Sequence, residues 1–459
     1  KNGKSHFASI EQLTNTIGLV CSAIATTTAA TTEGTTVIYQ TQVSITADNI
    51  MPSFNFDEKF NGDARKDPIA VFEINTAKYG ILAPEIDFWY QLLVIMSLAC
   101  VACAIIGAIA YKIIIPARQT NFTLSLLVVF GVLFPIVVSV PYILIHSFQL
   151  QNLQITFAAG VPCFVTLLRL VETLYGFSPK GVEETMSNFM LYYGSPIECV
   201  FDAKAPRKAT GLDKLLGAKN FLLSYMQLSI VLSIMGLYFE KTAPYPDPEK
   251  IYEGGFLQSC LSRERLITNF LFAYYFQCSL NACTDGLASC VEIVTGCKTI
   301  DVMKNPLLEA TSPSDFWGRR WNLLVHGVLK RGCFKPVYSH VKQFKSVGKL
   351  IAGMATFLAS GLLHEWVLHI IYSTNQQGLV PGYGNNTAFF LWNGGLVCLE
   401  SLFGSLAIFS ILSKSLPRPL ISLLVVMTAL PVAHWFALDY AKINFVNHAQ
   451  VGFPLIVRL

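Results

Sequence analysis

From Phe88 onward the chain is a succession of apolar runs parted by polar stretches. Each run is roughly 20 residues long, the length at which a helix crosses a hydrocarbon layer of about 30 Å. Lipid offers no partner to a backbone N–H or C=O, so such runs fold as helices that satisfy their own peptide groups. The first reads FWYQLLVIMSLACVACAIIGAIAYKIIIP and stops at Pro116. Eight spans are expected, at about 88–112, 121–145, 154–176, 219–239, 266–290, 349–372, 388–412 and 419–440. Composition agrees: 53% of residues are hydrophobic and 14% charged, against roughly 25% charged in an ordinary soluble domain. The expected fold class is therefore all-α, a polytopic transmembrane helical bundle.

Residues 1–87 differ from residues 88–459, the transmembrane domain, and carry ten acidic residues against six Lys and Arg. The run IGLVCSAIATTTAATTEG resembles a weak signal-peptide core, and TTVIYQTQVSITA alternates like a strand. This region reads as a polar extracytosolic cap without an assignable role. The first residue is Lys rather than Met, so the chain is read as processed or incompletely represented.

Basic residues orient the spans. Lys112 and Arg118 follow the first span, six lie between Lys180 and Lys219, ten between Lys298 and Lys349, and Lys414 and Arg418 part the last two. The alternate loops 146–153 and 373–387 carry no charged residue. Both termini are thus expected outside the cytosol, with the two long loops inside it as interfacial helices roofing a cavity. The sequon Asn385-Asn386-Thr387 then faces the lumen, where Asn385 can take a glycan. A net charge of +4 without an arginine-rich tail gives no reason to expect nucleic acid. The twelve cysteines are scattered, many of them inside apolar runs, as small buried hydrophobes rather than a disulfide framework. The Cys100/Cys103 pair finds no second pair to complete a metal site. No internal repeat supports a transporter.

Four constellations can carry chemistry. Asn322 and His326 lie one helical turn apart beside Arg319 and Arg320. His364 and Glu365 interrupt an apolar run, where an ionisable pair is costly unless it faces a protein-lined cavity. Asp285 and Asn281 share a face of the fifth span, and Arg169 and Glu172, at i,i+3, are expected to form an ion pair that fixes helix packing.

The block NPLLEATSPSDFWGRRWN, followed after about 40 residues by SGLLHEWV, resembles the wax-synthase branch of the membrane-bound O-acyltransferases. The likeness is strong over 305–372, rests on hydropathy alone over 88–440, and does not reach residues 1–87. It implies that family's architecture and endoplasmic reticulum membrane. It also implies acyl-CoA as a substrate with no cofactor, a hydrophobic alcohol as acceptor, by default a long-chain fatty alcohol, and membrane lipids as surroundings. Sterol, terpenoid or diacylglycerol acceptors, or a lipid-binding subunit without catalysis, are the alternatives. The family's intramembrane base falls on His364 and its second active-site position on Asn322. Physical chemistry fits that placement. His364 lies about 22 Å past Lys349 along a helix at 1.5 Å per residue, deep enough to keep water from a thioester. A neutral imidazole can take a hydroxyl proton, and Asn322 either polarises the thioester carbonyl or positions the acceptor. Arg319, Arg320, Lys330 and Arg331 offer charge to the CoA phosphates. Trp317 and Trp321 anchor the block or touch substrate, and Glu365 orients a neighbouring helix or pairs with a basic group.

Overall fold

The computed structural model describes residues 68–74, 77–240, 244–245, 255, 260–374, 378–404 and 415–459. They belong to one compact unit, Asn55–Leu459. The alternating and signal-like stretches expected before residue 55 lie outside the described residues.

Helices occur at each of the eight apolar stretches. They are α1 (Ile86–Thr120), then α2 (Phe122–Val128) continued through a π-helical turn at Val129–Leu133 into α3 (Phe134–Phe148), α4 (Leu153–Leu174) and, after a short α5 (Met186–Gly194), α6 (Gly211–Phe239) and α7 (Arg263–Thr295). The polar block then forms short pieces: α8 (Pro306–Glu309), α9 (Pro313–Asp315), a π-helical turn at Phe316–Arg320, α10 (Leu323–Leu329), a second π-helical turn at Lys330–Phe334, and α11 (Lys335–Val341). The remainder is α12 (Lys345–Tyr372), α13 (Asn385–Phe403), α14 (Arg418–Ala429), α15 (His434–Lys442) and α16 (Phe445–Gln450). Among the described residues five helical stretches are long and apolar enough to cross a membrane, or six if the pair Arg418–Val432 and His434–Lys442, bent by 57°, is one span. The chain is a multi-pass membrane protein. The fifth expected span, α7, is long enough but carries Asn269, Gln277, Asn281 and Asp285 along its length. The seventh, α13, is described only to residue 404.

Helix starts follow local chemistry. Asn152 caps α4 by accepting from Gln154 and Ile155 N–H, Thr210 and Asp213 form a capping box on α6, and the Ser262 hydroxyl caps α7. The α4 helix is the axis of the bundle, with nearly every residue buried, including Arg169, Glu172, Thr156 and Thr166. At Gly361, α12 comes so close to α13 that a Cβ would lie 2.7 Å from the Thr387 Cα.

Two features depart from the expected architecture. A three-stranded antiparallel sheet joins β1 (Ala70–Ile74), β2 (Ala77–Leu82) and β3 (Leu455–Arg458), in that order. Val71 faces Gly80 and Gly80 faces Val457, so part of the stretch grouped as a polar cap is built onto the chain's last residues. The second is the ion pairing of α4. Arg169 and Glu172 do not pair with each other. The Arg169 guanidinium lies 4.2 Å from the Tyr192 ring centre and donates to the Tyr193 and Ser195 carbonyls. Glu172, fully buried, instead receives Arg331 Nε at 2.7 Å and the Tyr192 hydroxyl at 2.8 Å. Arg331 also binds Glu198. The guanidinium arriving from the polar block satisfies one carboxylate oxygen with a charge-assisted bond, and the Tyr192 hydroxyl satisfies the other.

Removing one partner of a buried ion pair strands the other charge, at a cost of about 3–5 kcal/mol. Arg331→Ala is therefore expected to lower the unfolding temperature in detergent sharply, and Arg331→Ala with Glu172→Gln to recover part of the loss. Unfolding unchanged in the single variant would show that this network does not hold the polar block in place.

Candidate active site

The helices enclose a cavity of about 1160 Å³ whose walls are overwhelmingly apolar. That exceeds the roughly 300–1,000 Å³ of ordinary small-molecule sites and suits hydrocarbon. His364 lines it from the middle of α12, amid Phe390 at 4.5 Å, Phe436 at 5.6 Å and Phe164 at 5.7 Å between ring centres. Its Nδ1 lies 2.7 Å from the Ser360 carbonyl, one turn back on the same helix. A carbonyl only accepts, so Nδ1 carries the proton and Nε2 keeps a lone pair. One nitrogen is used for orientation, and the other is left able to accept a proton.

Asn322 lines the same cavity and sits where the backbone turns between the first π-helical turn and α10. Its φ of 40° lies in the left-handed region, which Asn tolerates better than most residues. Its Oδ1 accepts the Val325 N–H at 3.2 Å and caps α10. The oxygen is thus engaged, while among the described residues Nδ2 meets no protein acceptor and remains a donor.

The other expected residues divide. Trp317 and Trp321 line the cavity. Trp317 donates to Asn393 Oδ1 at 3.1 Å and packs 5.8 Å from Phe390, the ring that also meets His364. Trp321 stacks on Phe316 at 5.5 Å. Lys330 is exposed and lines the cavity, whereas Arg319 is exposed and does not. Arg320 is engaged by Asp315 at 2.8 Å, Glu309 at 2.7 Å and the Lys304 carbonyl, and Arg331 by Glu172 and Glu198. Burial alone would raise the Asp315 carboxyl, but Arg320 and the Thr311 N–H outweigh it and hold the group below its ordinary value. The charges of Arg320 and Arg331 are therefore neutralised by the protein itself.

Of the remaining constellations, His326 lines the cavity beside Asn322, while Asp285 and Asn281 do not reach it. Glu365 Oε1 accepts the Gly384 and Thr387 N–H groups, each at 3.0 Å, and so pins the start of α13 beside His364. Glu400 accepts the N–H and the hydroxyl of Ser314, each at 2.7 Å, and ties α13 to the polar block. The sequence offered a signal for the Ser360 carbonyl, since it lies four residues before His364. It offered none for Phe164, Phe390 and Phe436, which arrive from three other helices.

A family profile described as the membrane bound O-acyl transferase family matches residues 301–392. Among curated proteins, the Probable long-chain-alcohol O-fatty-acyltransferase 1 of Arabidopsis thaliana is 34% identical over 170 residues, 36% of this chain and 46% of the relative. The Probable long-chain-alcohol O-fatty-acyltransferase 2 is 33% identical over 144 residues, 31% of this chain and 39% of the relative. The Acyl-CoA–sterol O-acyltransferase 1 of the same plant is 29% identical over 134 residues, 28% of this chain and 36% of the relative. The matches thus span less than half the length of these relatives. Residues 301–392, which hold Asn322 and His364 together, are thus similar to the membrane bound O-acyl transferase family.

Proposed function

We propose that the protein is an acyl-CoA-dependent O-acyltransferase of the endoplasmic reticulum membrane that esterifies a hydrophobic alcohol, a long-chain fatty alcohol by default. The observation that carries this reading is the pairing, on one apolar cavity, of a histidine with a free Nε2 and an asparagine with a free Nδ2. His364 Nε2 takes the hydroxyl proton as the alcohol oxygen attacks the thioester carbonyl. Asn322 Nδ2 donates to the carbonyl oxygen as negative charge gathers there. The C–S bond breaks, CoA leaves as the thiol after gaining a proton, and no acyl-enzyme forms. Lys330 and Arg319 remain available to the CoA phosphates. A sterol acceptor is the second reading, supported by the relative named as an acyl-CoA–sterol O-acyltransferase and by the volume of the cavity.

His364→Ala is expected to lower ester formation from radiolabelled acyl-CoA and alcohol by about 10²–10⁴, the usual effect of losing a general base, with unfolding temperature unchanged. More than a tenth of wild-type turnover, with chemistry rate-limiting, would reject the base assignment.

Asn322→Asp separates the two jobs of that residue. A carboxylate still accepts the Val325 N–H and caps α10 but cannot donate when ionised. The variant should fold normally and lose kcat by about 10²–10³, whereas Asn322→Ala should lose stability as well. Full activity in a folded Asn322→Asp would reduce Asn322 to a helix cap.

Lys330→Ala should raise KM for acyl-CoA and leave KM for the alcohol unchanged. Arg320→Ala should instead act through stability. If both alter only yield, the phosphates bind elsewhere.

A further inference from the structure

A polar group on an apolar cavity wall is costly unless a neighbour, or whatever fills the cavity, answers it. Three such groups meet where the start of α4 faces α7: Gln154, Tyr275 and Ser279, all lining the cavity. Gln154 Nε2 donates to the Tyr275 hydroxyl at 3.1 Å and to the Phe445 carbonyl at 2.9 Å. Both amide protons are so committed, while among the described residues Oε1 accepts nothing. The Tyr275 hydroxyl accepts from Gln154 and keeps its own proton to give.

Ser279 lies one turn further along α7, beside the Tyr275 hydroxyl. A hydroxyl within a helix can turn back to a carbonyl three or four residues earlier, as Thr284 does to Leu280 at 2.7 Å. Ser279 Oγ does not: it is buried and, among the described residues, hydrogen-bonds nothing. The patch therefore offers one acceptor, Gln154 Oε1, and two O–H donors, none of which the fold uses. That set is the complement of a hydroxyl, which gives one proton and receives up to two.

The position of the patch decides what can reach it. Gln154 precedes Phe164 by ten residues, about 15 Å along α4 at 1.5 Å per residue, and the Phe164 ring lies 5.7 Å from that of His364. On the other wall Tyr275 joins His364 through the rings of Phe276 and Phe436, in steps of 5.3, 5.2 and 5.6 Å between centres. The separation is about half of a roughly 30 Å hydrocarbon layer, the reach of one lipid tail. At this end the wall is closed by the chain's last segment. There Trp89 Nε1 and the Tyr225 hydroxyl both donate to the Gly452 carbonyl, at 2.8 and 3.1 Å, and Phe453 packs against both rings.

We propose that Gln154, Tyr275 and Ser279 form a second polar subsite, which takes a hydroxyl carried at the far end of a chain whose other end reacts at His364. The preferred substrate is then a long chain with oxygen at both ends: a diol as acceptor, or an ω-hydroxyacyl group on the thioester. A plain chain would strip water from the patch and leave its groups unpaired. This inference rests on the acyltransferase reading for the end that reacts, and on the cavity wall for the end that is held.

A length series tests it, because two fixed points select one length whereas general polarity does not. α,ω-Diols of increasing length are compared with plain 1-alkanols of the same lengths, with a plain acyl-CoA as donor. In parallel, ω-hydroxyacyl-CoAs are compared with plain acyl-CoAs, with a plain alcohol as acceptor. In at least one series the ratio of kcat/KM, hydroxylated over plain, should peak at a single length by about 2- to 10-fold, the scale of one net hydrogen bond. The series that peaks identifies which substrate carries the hydroxyl. Ser279→Ala, which removes no hydrogen bond of the fold, should flatten the peak, as should Tyr275→Phe. A peak in neither series, or one that survives in both variants, overturns the subsite and leaves Gln154 as a tie between α4, α7 and α16. Should no pair of substrates yield an ester, the acyltransferase reading fails. The unfolding temperature of the wild type in lipid nanodiscs, measured with the same ligands, still decides the subsite: extra stabilisation by hydroxylated chains of one length supports it, and a flat series overturns it.

Discussion

The carboxylate of Glu172 is the group on which the arrangement of the polar block depends. It is buried on the central helix, where an unpaired charge would cost several kcal/mol, and no residue of its own helix answers it. Arg331 does, and it brings with it the π-helical turn of 330–334 and the α10 segment that carries Asn322. Glu198 completes the clamp from the segment after α5. The ion pair stabilises the fold only because both charges are satisfied. Its geometric effect is larger: it fixes a water-compatible segment against a greasy bundle at one height along α4, and α4 also packs against the helix of His364.

Around His364 and Asn322 several polar groups tie the cavity walls together. Trp317 is bound to Asn393, Ser314 to Glu400, and the start of α13 to Glu365. Asn322 and His364 each use one atom for their own placement and leave one toward the cavity. In the proposed acyl transfer, groups held stiffly by their other halves need little reorganisation when charge develops. The aromatic collar of Phe164, Phe390 and Phe436 adds a dry wall on the side facing the bundle.

Much of this was legible in the sequence because lipid leaves a chain few choices. Runs of apolar residues announce helices, and the eight stretches are helical where described. A histidine inside such a run attracts notice by its cost, and the upstream block supplied its counterpart by resemblance. Ion pairing was not legible. The i,i+3 spacing of Arg169 and Glu172 states who is near within one helix, while the better partner arrived from the distant polar block. The same limit explains Arg320 and Arg331, whose positive charge was visible and whose acidic neighbours were not. The sheet escaped notice because β2 finds its partner in the chain's last residues, and pairing at that separation leaves no local pattern.

The hydrogen bonds converging on the Gly452 carbonyl have a consequence in time. Trp89 and Gly452 are 363 residues apart, yet α1 meets α6 across that carbonyl, and β2 completes its edge only with β3. During synthesis α1 therefore waits in the bilayer with that end unmoored until the segment around Gly452 has emerged. Such long-range closure is slow relative to local helix formation. For that interval the Trp89 indole and the outer edge of β2 are without the partners that close this side of the bundle.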